Sequence, residues 1–429
     1  MPAQALPGFR DFYPEDYAFR AQLHGRWRDV ARRYGFEEYD GPPLEPLDLY
    51  TRKSGEEIVG QLYAFEDKGG RAVALRPEMT PTLARMVAAR ANGLKKPIRW
   101  FAIPQLFRYE RQQRGRLREH FQLNCDLIGD PGPLGDAEII ALAIDMMRAC
   151  GLGSGDVRVR LSDRRVLAAL LRGAGLGDEG LPVAYQAIDR AERMERAAVE
   201  SMLVTAGFDA ATAGRVLDAA RLRDRAEVEA ALRRVEGGEA SGAPLRATLD
   251  ALDAMGFGDW VDLDLGIVRG LAYYTGTVFE LFDAGRTLRA ICGGGRYDDL
   301  LGSLGGVDLP AVGFGMGDVV LAELLKERGL DGRNHQGLDV FVAAVTDDDM
   351  PHVLAVAREL RDGGLAVEFA LGGQALGKQL KLADARAARF AVVVGPDDRA
   401  RGEVQLKDLR AKTQRAVPRA GLAAALHAT

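Results

Sequence analysis

Cysteine and histidine are scarce in this chain of 429 residues, which has three cysteines and five histidines. Cys125, Cys150 and Cys292 are odd in number and far apart. This argues against a disulfide framework and favours a reducing compartment. The histidines do not show the spacing of metal ligands, so we predict no resident metal site.

Long apolar runs are also missing. We find no stretch of about 18 apolar residues, the length that a membrane-spanning helix needs. The first residues, MPAQALPGFRDFYPED, lack the apolar region of a secretory signal. We therefore expect a cytoplasmic protein without a membrane partner. The net charge is −5, so any contact with nucleic acid must use local basic patches.

Several common catalytic motifs do not occur. The sequence has no GxxxxGK[ST] loop for nucleotide phosphates and no GxSxG elbow for a nucleophilic serine. Its glycine-rich runs do not have dinucleotide-fold spacing. A phosphate site in this chain must therefore be built from arginines.

The pattern of apolar residues divides the chain into four parts. Residues 1–165 and 256–330 mix short strand-like runs with loops, and residues 166–255 are mostly helical. After a polar linker, residues 336–429 alternate strands and helices, as in a small α/β domain. Taken together, these four parts predict an α+β protein with a helical insertion and a separate C-terminal domain.

The densest group of charged residues is FRYERQQRGRLREHFQLNCDLIG (107–129), which reads as a hairpin. Arginine binds phosphate oxygens in pairs, and five arginines fall within eleven residues here. The alternative is a solvated hairpin tip. Gln122 and Asp126 follow at even spacing on the return strand and so share one face, which favours a binding pocket.

Three further segments could carry chemistry. In ALRPEMTPTLARMV, Glu78 and Thr80 either contact a ligand or only cap the helix that Pro81 begins. In VRGLAYYTGTVFE, Arg269 interrupts an apolar run, which is costly unless it meets an anion. The glycines of CGGGRYD either form a tight turn or admit a ligand to the backbone.

In this order, these segments resemble the histidyl-tRNA synthetases, a family of class II aminoacyl-tRNA synthetases. The opening ALPGFRDFYPED and the GPPLEP segment resemble the N-terminal part and motif 1. LRPEMT, FRYERQQRGRLREHFQ, VRGLAYYTGTVFE and GGGRYD resemble the substrate-site segments. GGQALGKQLKLADARAARFAVVVG resembles the anticodon-binding domain. The resemblance covers essentially the whole chain.

The resemblance implies a homodimeric ligase with an antiparallel catalytic sheet. It uses ATP with Mg²⁺ to activate L-histidine as histidyl-adenylate, and it transfers the histidyl group to tRNA(His). Arg108 and Arg269 take the catalytic roles. The implied histidine contacts are Glu78, Thr80, Arg108, Gln122, Asp126, Tyr273 and Tyr274. The implied ATP contacts are Arg108, Glu110, Arg116, Arg269 and Arg296.

The C-terminal part carries the basic charge that RNA binding needs. Between Lys378 and Arg419 there are eleven basic and five acidic residues, an excess of six in an acidic protein. Lys378 and Lys381 lie in the segment that resembles the anticodon-binding domain and are the predicted tRNA contacts. The alternative is an ordinary solvated surface.

The sequence departs from the family at three places. Val320, preceded by Val319, stands where motif 3 normally has an arginine for ATP. Ala272 replaces an aspartate, and His120 and Phe121 are exchanged. An alternative is thus a non-aminoacylating paralogue resembling the regulatory subunit of ATP phosphoribosyltransferase, which senses histidine. A plain RNA-binding protein does not explain Glu78, Gln122 and Asp126 beside the arginines.

Overall fold

The computed structural model describes residues 4–51, 59–110, 113–191, 194–268, 273–331 and 337–427. The contacts divide the chain into two compact units, Met1–Gly332 and Arg333–Thr429. Each unit has its own hydrophobic core.

The first unit is built on a large, mostly antiparallel sheet with helices packed against it. Its strands are β1 (Glu37–Glu38), β2 (Leu44–Pro46), β3 (Tyr63–Glu66), β4 (Ala72–Leu75), β5 (Ile98–Ala102), β6 (Gln105–Phe107), β7 (Glu119–Ile128), β8 (Val157–Asp163), β9 (Val261–Leu263), β10 (Thr277–Asp283), β11 (Cys292–Arg296) and β12 (Ala311–Gly317). Its helices are α1 (Pro14–Arg33), α2 (Asp48–Thr51), α3 (Thr80–Arg90), α4 (Pro133–Ala149), α5 (Arg164–Gly173), α6 (Leu181–Arg190), α7 (Arg196–Thr205), α8 (Ala210–Ala219), α9 (Arg225–Leu232), α10 (Gly238–Ala254), α11 (Leu300–Gly305) and α12 (Asp318–Glu327).

The strand order of the large sheet is β1-β5-β7-β12-β11-β10-β8-β9, with β6 paired to β7. All these pairs are antiparallel except β1 with β5 and β8 with β9. The mixed α+β class and its antiparallel core were predicted from the sequence, and both are confirmed. β2, β4 and β3 form a separate small sheet.

One face of the large sheet forms the main core. Odd-numbered residues of β7, such as Leu123 and Cys125, pack with Phe314, Met316 and the apolar side of α4. The alternation of a strand therefore leaves the even-numbered residues of β7 on the opposite face. Gln122 and Asp126 belong to that opposite face.

Between β8 and β9, the described residues form the helices α5 to α10. A cluster of small aliphatic side chains that includes Leu167, Ile188, Leu203 and Val216 packs α5 to α8 together. Their alanine-rich, amphipathic sequence explains the helices, since alanine loses no side-chain entropy and aliphatic residues recur on one side.

The second unit is a five-stranded mixed sheet with helices. Its strands are β13 (Val340–Ala344), β14 (Val367–Phe369), β15 (Phe390–Val394), β16 (Glu403–Asp408) and β17 (Thr413–Pro418), in the order β14-β13-β15-β16-β17. Its helices are α13 (Met350–Asp362), α14 (Leu376–Ala385), α15 (Pro396–Ala400) and α16 (Leu422–His427). The alternating pattern predicts the strands β13 to β15, which are parallel. The antiparallel pair β16 and β17 was not predicted; in β17 only Val417 is buried, so its sequence gives little sign of a strand.

Candidate active site

The arginine-rich hairpin lies at the edge of the exposed face of the large sheet. Its two arms are β6 and β7, and Phe107 pairs with Glu119 at its base. The backbone N–H of Arg108 donates to the carbonyl of Arg118 at 3.0 Å, which continues the hairpin beyond the strands. The local sequence therefore brings Arg108, Arg116 and Arg118 onto one short segment.

Buried ion pairs hold the base of this hairpin. Arg10 from the N-terminal segment donates to Glu119 at 2.6 Å and to Asp318 of α12 at 3.0 Å. Asp318 also accepts from the backbone N–H of Phe121 at 3.0 Å. Because Glu119 and Asp318 are almost fully buried, Arg10 neutralises two carboxylates that would otherwise be costly.

A cavity of about 670 Å³ opens between the hairpin, β10 to β12 and the start of α12. Gln122, Glu280, Gly293 and Gly315 line it and lie on the same face of the sheet. Glycine is required on β12 because a Cβ atom at Gly315 would lie 2.9 Å from the Gln122 side chain. The glycine-rich strands thus leave the space in which the polar side chains of β7 lie.

The predicted phosphate-side residues meet at this cavity. Arg108, Glu110 and Arg116 all line it. Arg116 Nε lies 2.7 Å from the Glu110 carboxylate, and Arg108 Nε donates to the carbonyl of Pro77 at 2.9 Å. Arg269, the other predicted catalytic residue, lies outside the described residues, as does Ala272.

Arg296 does not line the cavity, contrary to its predicted role in ATP binding. Its side chain is 1% exposed and pairs with Asp136 at 2.7 Å. It also donates to the carbonyls of Asp130 and Gly132, at 2.8 and 3.0 Å. Strand alternation explains the placement, since Arg296 lies on the face opposite to Gly293 and Gly295. We therefore remove Arg296 from the ATP contacts.

The predicted histidine contacts form two neighbouring groups. Gln122 lines the large cavity, whereas Glu78, Thr80 and Tyr273 surround a small space of about 10 Å³ at the start of α3. Thr80 is the first residue of α3, and Met79 at the N-cap position makes no side-chain capping bond. Thr80 is therefore not the N-cap residue of this helix, and its contact with a ligand stays a prediction.

Tyrosines connect these two groups. The rings of Tyr273 and Tyr274 are 5.0 Å apart, and that of Tyr273 is 6.1 Å from Tyr297. Tyr297 donates its hydroxyl hydrogen to Asp126. A Cβ atom at Gly295 would lie 2.8 Å from the Tyr274 ring, so the absence of a side chain allows the tyrosine to lie against the sheet.

Asp126 is buried on the sheet face that carries Gln122, but it is not among the described residues that line the cavity. Burial raises the pKa of Asp126 to about 7, although the hydrogen bond from Tyr297 opposes the shift. A carboxyl group with this pKa changes its charge near neutral pH and responds strongly to a nearby cation.

Among the other residues that line the cavity, four have charged or imidazole side chains that the sequence analysis did not select: His120, Asp189, Glu280 and Arg289. Glu280 of β10 pairs with Gly293 of β11, so both lie on the same face of the sheet. The alternation of side chains along β10 could have indicated this position from the sequence. Asp189 comes from α6, and its approach depends on the tertiary packing of the helical segment. Burial and the charges of Arg108 and Arg10 lower the pKa of His120 to about 3, so its ring is neutral at pH 7.

In the second unit, Lys378 and Lys381 are exposed on α14. Residues three apart lie on the same side of a helix, so both ammonium groups face one surface of this unit. Between them, Gln379 is buried and bonds both backbone groups of Ala344, which fixes α14 to β13.

An antiparallel sheet with an arginine-rich hairpin over a glycine-lined polar cavity is the arrangement of a class II aminoacyl-tRNA synthetase. The sequence profile of histidyl-tRNA synthetase matches residues 8–318, and that of the anticodon binding domain matches residues 339–429. The chain belongs to the histidyl-tRNA synthetase family. It is a ligase, and the predicted family and activity are confirmed.

Individual relatives agree with this assignment. The histidine–tRNA ligase of Opitutus terrae is 46% identical over 420 residues, 97% of this chain and 96% of that protein. The crystal structure of histidyl-tRNA synthetase from Nostoc sp. PCC 7120 matches with a TM-score of 0.84 and 27% identity, over 100% of this chain and 99% of that one. A second crystal structure, from Bacillus halodurans, is described as an ATP phosphoribosyltransferase regulatory subunit/histidyl-tRNA synthetase. It matches with a TM-score of 0.77 and 24% identity, over 92% of this chain and 99% of that one. At this identity, the match shows a shared fold alone.

Within the described ranges, no group of three or more His, Cys, Asp or Glu side chains is arranged to hold a metal ion. In the same part of the chain, no helix is both long and apolar enough to cross a bilayer.

Proposed function

We propose that this ligase joins L-histidine to tRNA(His) in two steps at the 670 Å³ cavity. In the first step, a carboxylate oxygen of histidine attacks the α-phosphorus of ATP, the bond to the β-phosphate oxygen breaks, and pyrophosphate leaves. In the second, a terminal ribose hydroxyl of the tRNA attacks the activated carbonyl, loses its proton, and AMP leaves. The meeting of Arg108, Arg116 and Gln122 at one cavity carries this proposal.

The first step needs positioning and charge stabilisation more than covalent chemistry from the protein. Arg108 is assigned to the histidine carboxylate and the α-phosphate. Its bond to the Pro77 carbonyl supports this assignment, because it joins the cavity to the segment that carries Glu78. Arg116 is assigned to the β- and γ-phosphates. Arg269 keeps its predicted role at the α-phosphate.

ATP enters as its Mg²⁺ complex. Glu110 and Glu280 line the cavity and offer the carboxylate oxygens that this ion prefers. The ion pair of Glu110 with Arg116 keeps this carboxylate close to the proposed path of the phosphates.

Histidine recognition is assigned to the groups around Tyr297. Glu78, Thr80 and Tyr273 line one small space, the ring of Tyr273 lies 6.1 Å from that of Tyr297, and Asp126 accepts the hydroxyl hydrogen of Tyr297. Carboxylates suit the cationic amino group and the N–H groups of imidazole. A substrate without an imidazole would leave these buried groups unpaired, which is the physical basis of discrimination.

The second unit is proposed to bind the anticodon region of tRNA(His), with Lys378 and Lys381 of α14 contacting phosphates. We also propose that the protein is a cytoplasmic homodimer. Residues 1–165 and 256–330 would form the catalytic core, 166–255 the helical insertion and 336–429 the anticodon-binding domain. Asp189 supports a role of the insertion at the substrate cavity, because α6 places its carboxyl group there.

Histidine-dependent exchange of pyrophosphate into ATP, measured without tRNA, tests the first step. We expect exchange with histidine and none with other amino acids, and a loss of at least a hundredfold in Arg108→Ala. Arg114→Ala is the matched control, because Arg114 is on the same hairpin but pairs with Glu323 and Glu327 at its exposed side. Histidine binding without exchange would refute the proposal and favour the histidine-sensing paralogue.

A further inference from the structure

The first turn of α12 has no positively charged side chain that could reach the cavity. Val319 and Val320 line it, and Val320 also packs into the main core. The acidic residue that precedes them, Asp318, is already paired with Arg10. The wall from which the family's motif 3 arginine would reach ATP is therefore apolar in this protein.

An arginine lies close to this apolar wall. Gly115, at the tip of the hairpin, is near both Val320 and Arg289: a Cβ atom at Gly115 would be 3.3 Å from Val320 Cγ2 and 3.9 Å from Arg289 Cδ. The φ of +75° at Gly115 allows the tip to turn there. Arg289 and Val320 also line a second hollow, of about 250 Å³, next to the main cavity.

The position of Arg289 is supported from the hairpin. One of its terminal nitrogens donates to Gln113 Oε1 at 2.6 Å. This bond holds the aliphatic part of Arg289 against the hairpin tip, at the mouth of the cavity. A guanidinium group has five N–H donors, and Arg289 lines the main cavity, so its side chain can bond Gln113 and also reach a ligand there.

Two other described arginines are paired with carboxylates. Arg114 lies 3.3 Å from Glu323 and 2.5 Å from Glu327 on the outer side of α12. Arg296, one of the predicted ATP contacts, is buried in its pair with Asp136.

We propose that Arg289 is an ATP-binding residue that supplies, from the segment before β11, the guanidinium contact that position 320 lacks. A guanidinium can pair with phosphate oxygens and can stack on a purine, so Arg289 meets both chemical features of this ligand. The proposal rests on the proposed use of ATP at the cavity and goes beyond it in assigning a residue outside the family's motifs.

Arg289→Ala tests this assignment, with Arg286→Ala as the matched control. Arg286 is an exposed arginine on the same loop, and it lines a different hollow, near Asp264. We expect Arg289→Ala to raise the Michaelis constant for ATP in pyrophosphate exchange at least tenfold, which corresponds to about 1.4 kcal/mol. In Arg289→Ala, the Michaelis constant for histidine should change less than twofold. In Arg286→Ala, both Michaelis constants should equal those of the parent protein.

Gln113→Ala separates ligand contact from support of the hairpin. If Arg289 acts on ATP, Gln113→Ala should lower ATP affinity much less than Arg289→Ala does. An unchanged constant for ATP in Arg289→Ala, or an equal loss in Gln113→Ala, would overturn the proposal.

Direct titration of ATP into the parent protein and the variants by calorimetry gives the same comparison without turnover. The absence of exchange in the parent protein would count against the proposed function, whereas the ATP titration would still decide the role of Arg289. Weaker ATP binding in Arg289→Ala than in Arg286→Ala would support the assignment, and equal binding would overturn it.

Discussion

Asp126→Asn should remove a large pH dependence from the stability of the catalytic unit. Burial raises the pKa of Asp126 to about 7 from an ordinary value of 3.8. The native state therefore retains a proton that the unfolded state has released, and ionisation of Asp126 opposes folding. Below pH 4 the group has no effect. Its cost grows as the pH rises from 4 to 7 and is constant above that range.

The size of the effect follows from the shift. One pKa unit corresponds to 1.36 kcal/mol, so a shift of roughly three units makes the ionised carboxyl cost about 4 kcal/mol at pH 8. Asparagine is nearly isosteric and stays neutral. The difference in the free energy of unfolding between Asp126→Asn and the parent protein should therefore grow by about 4 kcal/mol, in favour of the variant, from pH 4 to pH 8.

Urea unfolding followed by tryptophan fluorescence measures this difference. All three tryptophans, Trp27, Trp100 and Trp260, belong to the first unit, so the signal reports that unit. Tyr297→Phe is an informative companion, because loss of its hydrogen bond should raise the pKa of Asp126 further. A stability difference between Asp126→Asn and the parent protein that stays constant from pH 4 to pH 8 would refute the reasoning.

Three other substitutions test the structure. Arg296→Met should destabilise the first unit by about 3–5 kcal/mol, because it leaves the buried carboxylate of Asp136 without its cationic partner, and urea unfolding measures the loss. Gly313→Ala should abolish histidine-dependent exchange, since its Cβ would lie 2.2 Å from Asp126 Oδ1; activity near that of the parent would contradict this packing. Gln379→Ala should destabilise the second unit by about 1–3 kcal/mol, seen in thermal unfolding by circular dichroism, while exchange without tRNA persists.

Two of the predicted histidine contacts, Gln122 and Asp126, show where sequence reasoning works. Even spacing along an extended strand predicts that Gln122 and Asp126 share a face, and the register with the glycines of β12 agrees. The spacing does not reveal that Asp126 is buried beneath Tyr297, because that depends on a contact between residues 171 positions apart.

The arginines show where it fails. An arginine next to a glycine run looks the same whether it points to the cavity or to the core. Arg296 faces Asp136 because side chains alternate between the two faces of β11. The local sequence shows neither which face is toward the core nor that Asp136 is the partner. Arg289 carries no local signal at all, since only the tertiary fold places it beside Gly115 and Val320.

The sequence by itself determined the family, the α+β class, the arginine-rich hairpin and most helices. These depend on local order and on the period of apolar residues along the chain. Only the tertiary structure decided which polar side chains reach the cavity. Their positions depend on strand register, on the clearance that Gly313 and Gly315 provide above β7, and on pairing between distant charges such as Arg10 and Asp318. Such contacts form between residues far apart in the chain, so a reading of local patterns cannot assign them.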